Sequence, residues 1–189
     1  MIYAKKSLGQ NFLTDKNIIK KILDLVNIKN KNIIEIGPGT GALTNEILKR
    51  KPASLNLIEK DAELANHLKI KHSSNKFVKV FNQDILKYDI EKLNKKNTVF
   101  FGNLPFNISS QILVKIIKLN KRSSSYSDVI FMFQKELGNK ILGKFKSKNY
   151  SRLSILTNYR FKIVNKFLIS PNCFFPKPKV DSTILLLKP

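Results

Sequence analysis

The chain has 189 residues, with 35 Lys+Arg against 13 Asp+Glu and a formal net charge of +22 at pH 7. That length fits one domain, and 42% hydrophobic residues with 10% aromatic are enough to build a core, which excludes intrinsic disorder. Only 7 Gly and 7 Pro exclude collagen-like and linker-type chains.

In chain order, Asp15 is placed to cap a helix in which Ile18, Ile19, Ile22, Leu23 and Val26 recur at helical spacing. Residues 32–36 read as a short buried strand running into Gly37-Pro38-Gly39-Thr40-Gly41, and a helix with Leu43, Ile47 and Leu48 on one face follows. Strand-like residues 55–58 precede a helix from 61 to about 70, and residues 77–81 precede a short helix near Ile90. Residues 99–101 are a fourth strand, followed by a helix carrying Ile112, Leu113, Ile116 and Ile117; residues 129–133 are a fifth. Ser123-Ser124-Ser125 reads as a surface loop. The tail has two strand-like runs, 161–169 and 180–187, without a helical pattern between them, and these are expected to close the sheet as an antiparallel pair. Strands alternating with helices imply an α/β, doubly wound, mostly parallel sheet covered on both faces.

The charge is the footprint of a polyanion binder, for which nucleic acid is the first candidate and a membrane surface the second. An A/T-rich genome would also over-supply Lys, Asn and Ile, here 31, 20 and 23 residues, but the same bias should supply Glu, and acids are scarce. Cys173 is the only cysteine, so no intramolecular disulfide can form; with only His67 and His72 beside it, no usual zinc site is expected. No apolar run approaches the ~20 residues of a membrane-spanning helix, and the first six residues lack the apolar stretch of a signal peptide. A soluble, cytoplasmic protein is expected. It is expected to be a monomer, since no long apolar stripe is left over for a partner.

In such a sheet, ligands sit beyond the carboxyl ends of the strands, where strand order reverses. The loop 37–41 is placed there, and Gly37, Gly39 and Ala42 satisfy G-x-G-x-x-A. Glu59, 20 residues after Gly39 at the end of the second strand, is placed to accept both ribose hydroxyls of an adenosine-type cofactor. Asp84, after the third strand, could accept from an adenine amino group or simply cap a helix. After the fourth strand comes Asn103-Leu104-Pro105-Phe106, which taken alone is an ordinary Asn-x-Pro turn. It also has a specific chemical use. The exocyclic amine of adenine is a poor nucleophile because its lone pair spreads into the ring. The Asn103 side-chain oxygen and the Leu104 carbonyl could accept its two N–H bonds and localise that lone pair for attack on a methyl group. Pro105 fixes the turn, and Phe106 offers a face to an unstacked base.

Six stretches together resemble the KsgA-type ribosomal RNA adenine dimethyltransferases over nearly the whole chain. They are Ser7-Leu8-Gly9-Gln10-Asn11-Phe12-Leu13, Glu35-Ile36-Gly37-Pro38-Gly39-Thr40-Gly41-Ala42-Leu43-Thr44, Gly102-Asn103-Leu104-Pro105-Phe106-Asn107-Ile108-Ser109, Phe133-Gln134-Lys135-Glu136, Tyr150-Ser151-Arg152-Leu153-Ser154 and Phe174-Phe175-Pro176-Lys177-Pro178-Lys179-Val180-Asp181-Ser182. The resemblance implies a Rossmann-like class I methyltransferase fold with S-adenosylmethionine as donor. It implies transfer of two methyl groups to N6 of each of two adjacent adenosines near the 3′ end of small-subunit rRNA, in an immature small ribosomal subunit. It assigns Asn11, Leu13, Gly37, Glu59, Asp84 and Asn103 to the cofactor and Asn103, Leu104, Pro105 and Phe106 to catalysis. It also sets Phe174 opposite Phe106 across the target base, with a core role the alternative at that position.

Two departures accompany it. The family usually has Tyr where this chain has Phe106, so stacking survives and the hydroxyl is lost. Its members usually continue into a small helical domain, whereas this sequence reads as the catalytic domain alone, 1–189. The nearest rival is an Erm-type methyltransferase of large-subunit rRNA, against which Pro38 and Leu104 speak. A non-catalytic small-subunit assembly factor and an NAD-dependent oxidoreductase are the rivals from other classes. The intact tetrad opposes the first, and the lack of a proton donor near the site opposes the second.

Overall fold

The structure is a computed structural model that describes residues 4–5, 8–119 and 126–189. Ser7 of the N-terminal motif and the Ser123-Ser124-Ser125 loop lie outside the described residues.

A two-residue strand, β1 (Phe12–Leu13), leads into α1 (Lys16–Leu23). Asp15 starts this helix by accepting from the amides of Asn17 at 2.8 Å and Ile18 at 3.0 Å, and Ile19, Ile22 and Leu23 form its buried face. β2 (Asn32–Ile36), α2 (Ala42–Lys49), β3 (Ser54–Glu59), α3 (Ala62–Lys71) and β4 (Val78–Asn82) continue the alternation. A 3₁₀ turn at Ile90–Leu93 precedes β5 (Thr98–Asn103), α4 (Ser109–Ile117) and β6 (Tyr126–Gln134). Two helices then follow, α5 (Lys135–Ile141) and α6 (Arg152–Arg160), before β7 (Lys162–Ile169), the short β8 (Phe174–Phe175) and β9 (Ser182–Lys188).

Seven strands form one sheet in the order β4-β3-β2-β5-β6-β9-β7. The first five are parallel, and β9 runs antiparallel to both neighbours. The expected C-terminal pair is therefore present, with β9 beginning at Ser182, where its pairing with Gln134 and Ile169 begins, rather than at Val180. β2 and β3 are buried on both sides, as strands covered by helices on two faces must be. Their alternating residues split the core in two. Ile33, Leu55 and Leu57 pack toward α1 and α2, while Ile34, Ile36 and Ile58 pack toward α4. From β2 the chain steps outward to β3 and β4, then returns to add β5 on the other side. The crevice at that reversal lies above Ile36, Ile58 and Gly102, which are held level by the pairs Ile36↔Ile58 and Ile36↔Gly102.

Two features were not legible in the sequence. α5 and α6 fall between the predicted strands 129–133 and 161–169, where no element is predicted. α6 buries only Ser154 and Thr157 and is started by a Ser151–Ser154 capping box, so it has no apolar stripe to betray it. The other is the antiparallel pair β1–β8, which joins the two ends of the sequence through Phe12↔Phe175 and Leu13↔Phe174.

Candidate active site

The crevice is a pocket walled by the N-terminal segment 8–13, the glycine loop after β2, the ends of β3 and β4, and the turn after β5. The loop's conformation explains its glycines. Gly37 and Gly39 have φ of 66° and 59°, and a Cβ on Gly39 would stand 2.9 Å from Cδ1 of Phe12. The Phe12 ring thus lies directly on the loop, and only glycine lets it do so.

Glu59, at the end of β3, is buried and already holds the loop. Its Oε2 accepts from the Gly39 amide at 3.0 Å and its Oε1 from the Asp61 amide at 2.9 Å. Burial pushes its carboxyl above the usual range, and those two N–H bonds pull against that rise. Glu35, fully buried in β2, accepts from the Thr44 hydroxyl at 2.7 Å. Burial raises it to about 7, opposed by Thr44 and reinforced by the charge of Glu59. Asp84 accepts from the Leu86 amide at 2.9 Å and pairs with Lys60 Nζ at 3.0 Å; the Lys60 ammonium, then that amide, hold it below the usual range. Among the described residues, three acidic side chains therefore line a pocket in a chain of charge +22, and the one lysine lining it, Lys60, is paired with Asp84.

The turn after β5 supplies the opposite wall. Asn103 donates from Nδ2 to the Asn11 carbonyl at 2.9 Å. Leu104 is buried, its side chain part of the core toward α4, so only its backbone can serve chemistry. The carbonyls of Pro105 and Phe106 are taken up by the Ile108 amide and the Ser109 hydroxyl, which tie the turn to the start of α4. Phe106 is half-buried and lines the pocket with Asn11, Leu13, Gly37, Glu59, Asp84, Asn103, Leu104 and Pro105.

Phe174 is the exception among the sequence-predicted residues. It is 4% exposed, lies opposite Leu13 across β1–β8 and belongs to the core. Alternation along a two-residue strand turns one ring inward and the next outward, and the outward ring is that of Phe175, 68% exposed. The structure thus realises the core alternative at Phe174.

Residues the sequence did not single out complete the site. The N-terminal segment is latched across α3: Lys5 Nζ pairs with Asp61 at 2.8 Å, and Gln10 Nε2 donates to Asp61 at 3.1 Å. Burial would raise the Asp61 carboxyl, but the bonds from Lys5 and Gln10 hold it below its usual value. Asp61 also caps α3 by accepting from the Glu63 amide. Its helix-cap position was the only local signal available. Among the described residues, no group of three or more His, Cys, Asp or Glu could hold a metal ion.

Comparison with known proteins places this geometry. The family described as "Ribosomal RNA adenine dimethylase" matches residues 1–189. The chain is 45% identical over 189 residues to the ribosomal RNA small subunit methyltransferase A of Pelagibacter ubique (strain HTCC1062), covering 100% of this chain and 71% of that protein. It is 46% identical over 190 residues to the protein of the same name from Francisella tularensis subsp. novicida (strain U112), covering 98% and 71%. Among solved structures it is similar to a dimethyladenosine transferase from Plasmodium falciparum, with a TM-score of 0.82 and 30% identity over 94% of this chain and 63% of that one. It is also similar to the 23S rRNA methyltransferase ErmE, with a TM-score of 0.73 and 26% identity over 94% and 69%. The sheet is that of the class I S-adenosylmethionine-dependent methyltransferases. With the family matched from the first residue to the last, and relatives at 45% identity across the whole chain, the protein belongs to the ribosomal RNA adenine dimethylase family.

Proposed function

We propose that this chain transfers methyl groups from S-adenosylmethionine to N6 of two adjacent adenosines near the 3′ end of small-subunit rRNA. On this reading residues 1–189 form a catalytic domain that acts, as a monomer in the cytoplasm, on immature small ribosomal subunits. The observation that carries the reading is the pairing of an acidic pocket with a basic exterior. Glu35, Glu59 and Asp84 line the crevice of a protein of charge +22, which suits a cationic donor within and an RNA polyanion outside. The names of the two curated relatives reported above favour small-subunit rRNA over the target in the name of the structurally similar ErmE.

The residues present fit the donor. Glu59 is the acceptor for the ribose hydroxyls and Asp84 for the adenine amine. The bare backbone of Gly37 leaves room for the methionine part, and Asn11 and Leu13 close the site from the N-terminal segment. When bound, S-adenosylmethionine supplies an electrophilic methyl group on a good leaving group. The protein's own task is then orientation. Asn103 Oδ1 and the Leu104 carbonyl accept the two N–H bonds of the target amine and aim its lone pair, while Phe106 stacks on the unpaired base. The amine becomes acidic as its new N–C bond forms, so its proton passes to water without a strong base.

The test is incubation of the chain with isotopically labelled S-adenosylmethionine and under-methylated small ribosomal subunits, followed by nucleoside mass spectrometry. Labelled N6,N6-dimethyladenosine in the small-subunit rRNA is the expected product. No label, in a sample shown to bind the donor, would overturn the reading.

A further inference from the structure

We infer that Phe175, with Lys177 and Lys179, forms a ledge beside the pocket mouth on which the nucleotide flanking the target adenosine stacks. The inference rests on the RNA substrate proposed above and adds a binding surface to it.

The register of the two-stranded sheet β1–β8 sets which rings face the pocket. Residues directly opposite in an antiparallel pair project from the same face, with Cβ atoms ~5 Å apart. Leu13 and Phe174 are such a pair, and both are buried. Phe12 and Phe175 are therefore the pair on the other face. Phe12 is fixed in the site because it lines the pocket and its ring lies on Gly39. Phe175 accordingly stands beside the ring that walls the pocket, yet among the described residues it is 68% exposed. A large aromatic ring left in water at the rim of a site is a surface waiting for a flat apolar partner.

The charge around it selects that partner. Phe175 opens a segment in which Lys177, Lys179 and Val180 are also exposed. Lys177 and Lys179 hold no ion pair among the described residues, whereas Asp181, the one acid between 171 and 182, is paired with Lys135 at 2.9 Å. An aromatic face flanked by free ammonium groups is the chemistry of a single-stranded nucleic acid platform, with the base on the ring and phosphates at the lysines. Phe106 lies inside the pocket and Phe175 outside it, so the two rings serve different nucleotides. A strand that gives up one base to the pocket must unstack its neighbour, and Phe175 offers that neighbour a replacement face.

The test compares Phe175→Ala, Phe175→Tyr and the double variant Lys177→Ala/Lys179→Ala with the wild type. Two assays are run: methyl transfer to under-methylated small subunits at saturating donor, and binding to a fluorescent single-stranded RNA containing two adjacent adenosines. Phe175→Ala should raise the KM for subunits and the Kd for the RNA by roughly 5- to 100-fold, leave donor affinity unchanged, and keep the wild-type salt dependence. Phe175→Tyr, which retains the ring, should restore both constants. The lysine double variant should instead flatten the log–log salt slope by about 1.4, at 0.7 per phosphate contact. Wild-type constants in Phe175→Ala would overturn the ledge, as would a defect that Tyr does not rescue or that lowers donor affinity. RNA binding that depends on Phe175 without any methyl transfer by the wild type would overturn the proposed function and leave the ledge standing.

Discussion

The side-chain amide of Asn103 is oriented by the backbone of Asn11: its Nδ2 donates to the Asn11 carbonyl at 2.9 Å, across 92 residues of sequence. An amide has one donor end and one acceptor end, so committing the nitrogen leaves Oδ1 as the end available to an incoming amine. The same contact joins the end of β5 to the N-terminal segment that walls the pocket. Donor site and acceptor site thus share one hydrogen bond.

Asn103→Ala removes both the acceptor and this tie. Methyl transfer should be abolished, while donor affinity, measured by calorimetry, should stay within about tenfold because Glu59 and the glycine loop are untouched. Unchanged turnover would remove Asn103 from the chemistry.

Glu59 has a double task, since the oxygens that would meet a ribose also accept from Gly39 and Asp61. Glu59→Ala should weaken donor binding by ~1.5–3 kcal/mol, the range for a hydrogen bond to a charged group. It should also lower the melting temperature of the unliganded protein, because two buried amides lose their partner. Equal donor affinity would exclude Glu59 from the site.

Glu35 makes stability depend on pH. Its carboxyl is raised from the usual 4.5 to about 7 in the folded protein, so folding favours the neutral form. That contribution is fully present below about 4.5 and is lost as pH rises through about 7. At 1.36 kcal/mol per pKa unit the loss amounts to roughly 3 kcal/mol. Glu35→Gln keeps an acceptor for Thr44 and cannot ionise. In urea titrations at pH 5 and pH 8 the wild type should therefore lose stability relative to this variant; parallel behaviour at the two pH values would refute the assignment.

Asp61 holds the N-terminal segment through Lys5 and Gln10. Asp61→Ala should speed amide hydrogen exchange in residues 8–13 by roughly tenfold or more, as expected from losing bonds to a charged acceptor. Exchange in β2 and β5 should be much less affected. Loss of the α3 cap should add about 1 kcal/mol of destabilisation. Unaltered exchange at residues 8–13 would show that the segment is held by β1–β8 alone.

Much of this could be read directly from the residues. β2 was legible to the residue, because a buried parallel strand is a continuous apolar run. Asp15 was legible as a cap, and Glu59 as a carboxylate at a strand end, because both depend on neighbours within a few positions. The six motifs and the charge pointed to the family and to a polyanionic partner, and the family match bears out the former.

Tertiary structure alone decided the rest. That Phe174 faces the core and Phe175 the solvent follows from a two-residue strand whose partner lies at the far end of the chain, and no local pattern reveals which face of such a strand is inside. The orientation of the Asn103 amide depends on a carbonyl 92 residues away, and the latch at Asp61 on side chains from the N-terminal segment. Glu35 becomes a titrating group only because the sheet and its helices withdraw it from water. Residue type and spacing are properties of the chain, so the sequence by itself determined the alternating strands and helices from α1 to β6 and the chemical inventory, but not α5, α6 or the β1–β8 pair. Facing, hydrogen-bond direction and desolvation are properties of contacts between distant segments, and these arise only when the sheet closes.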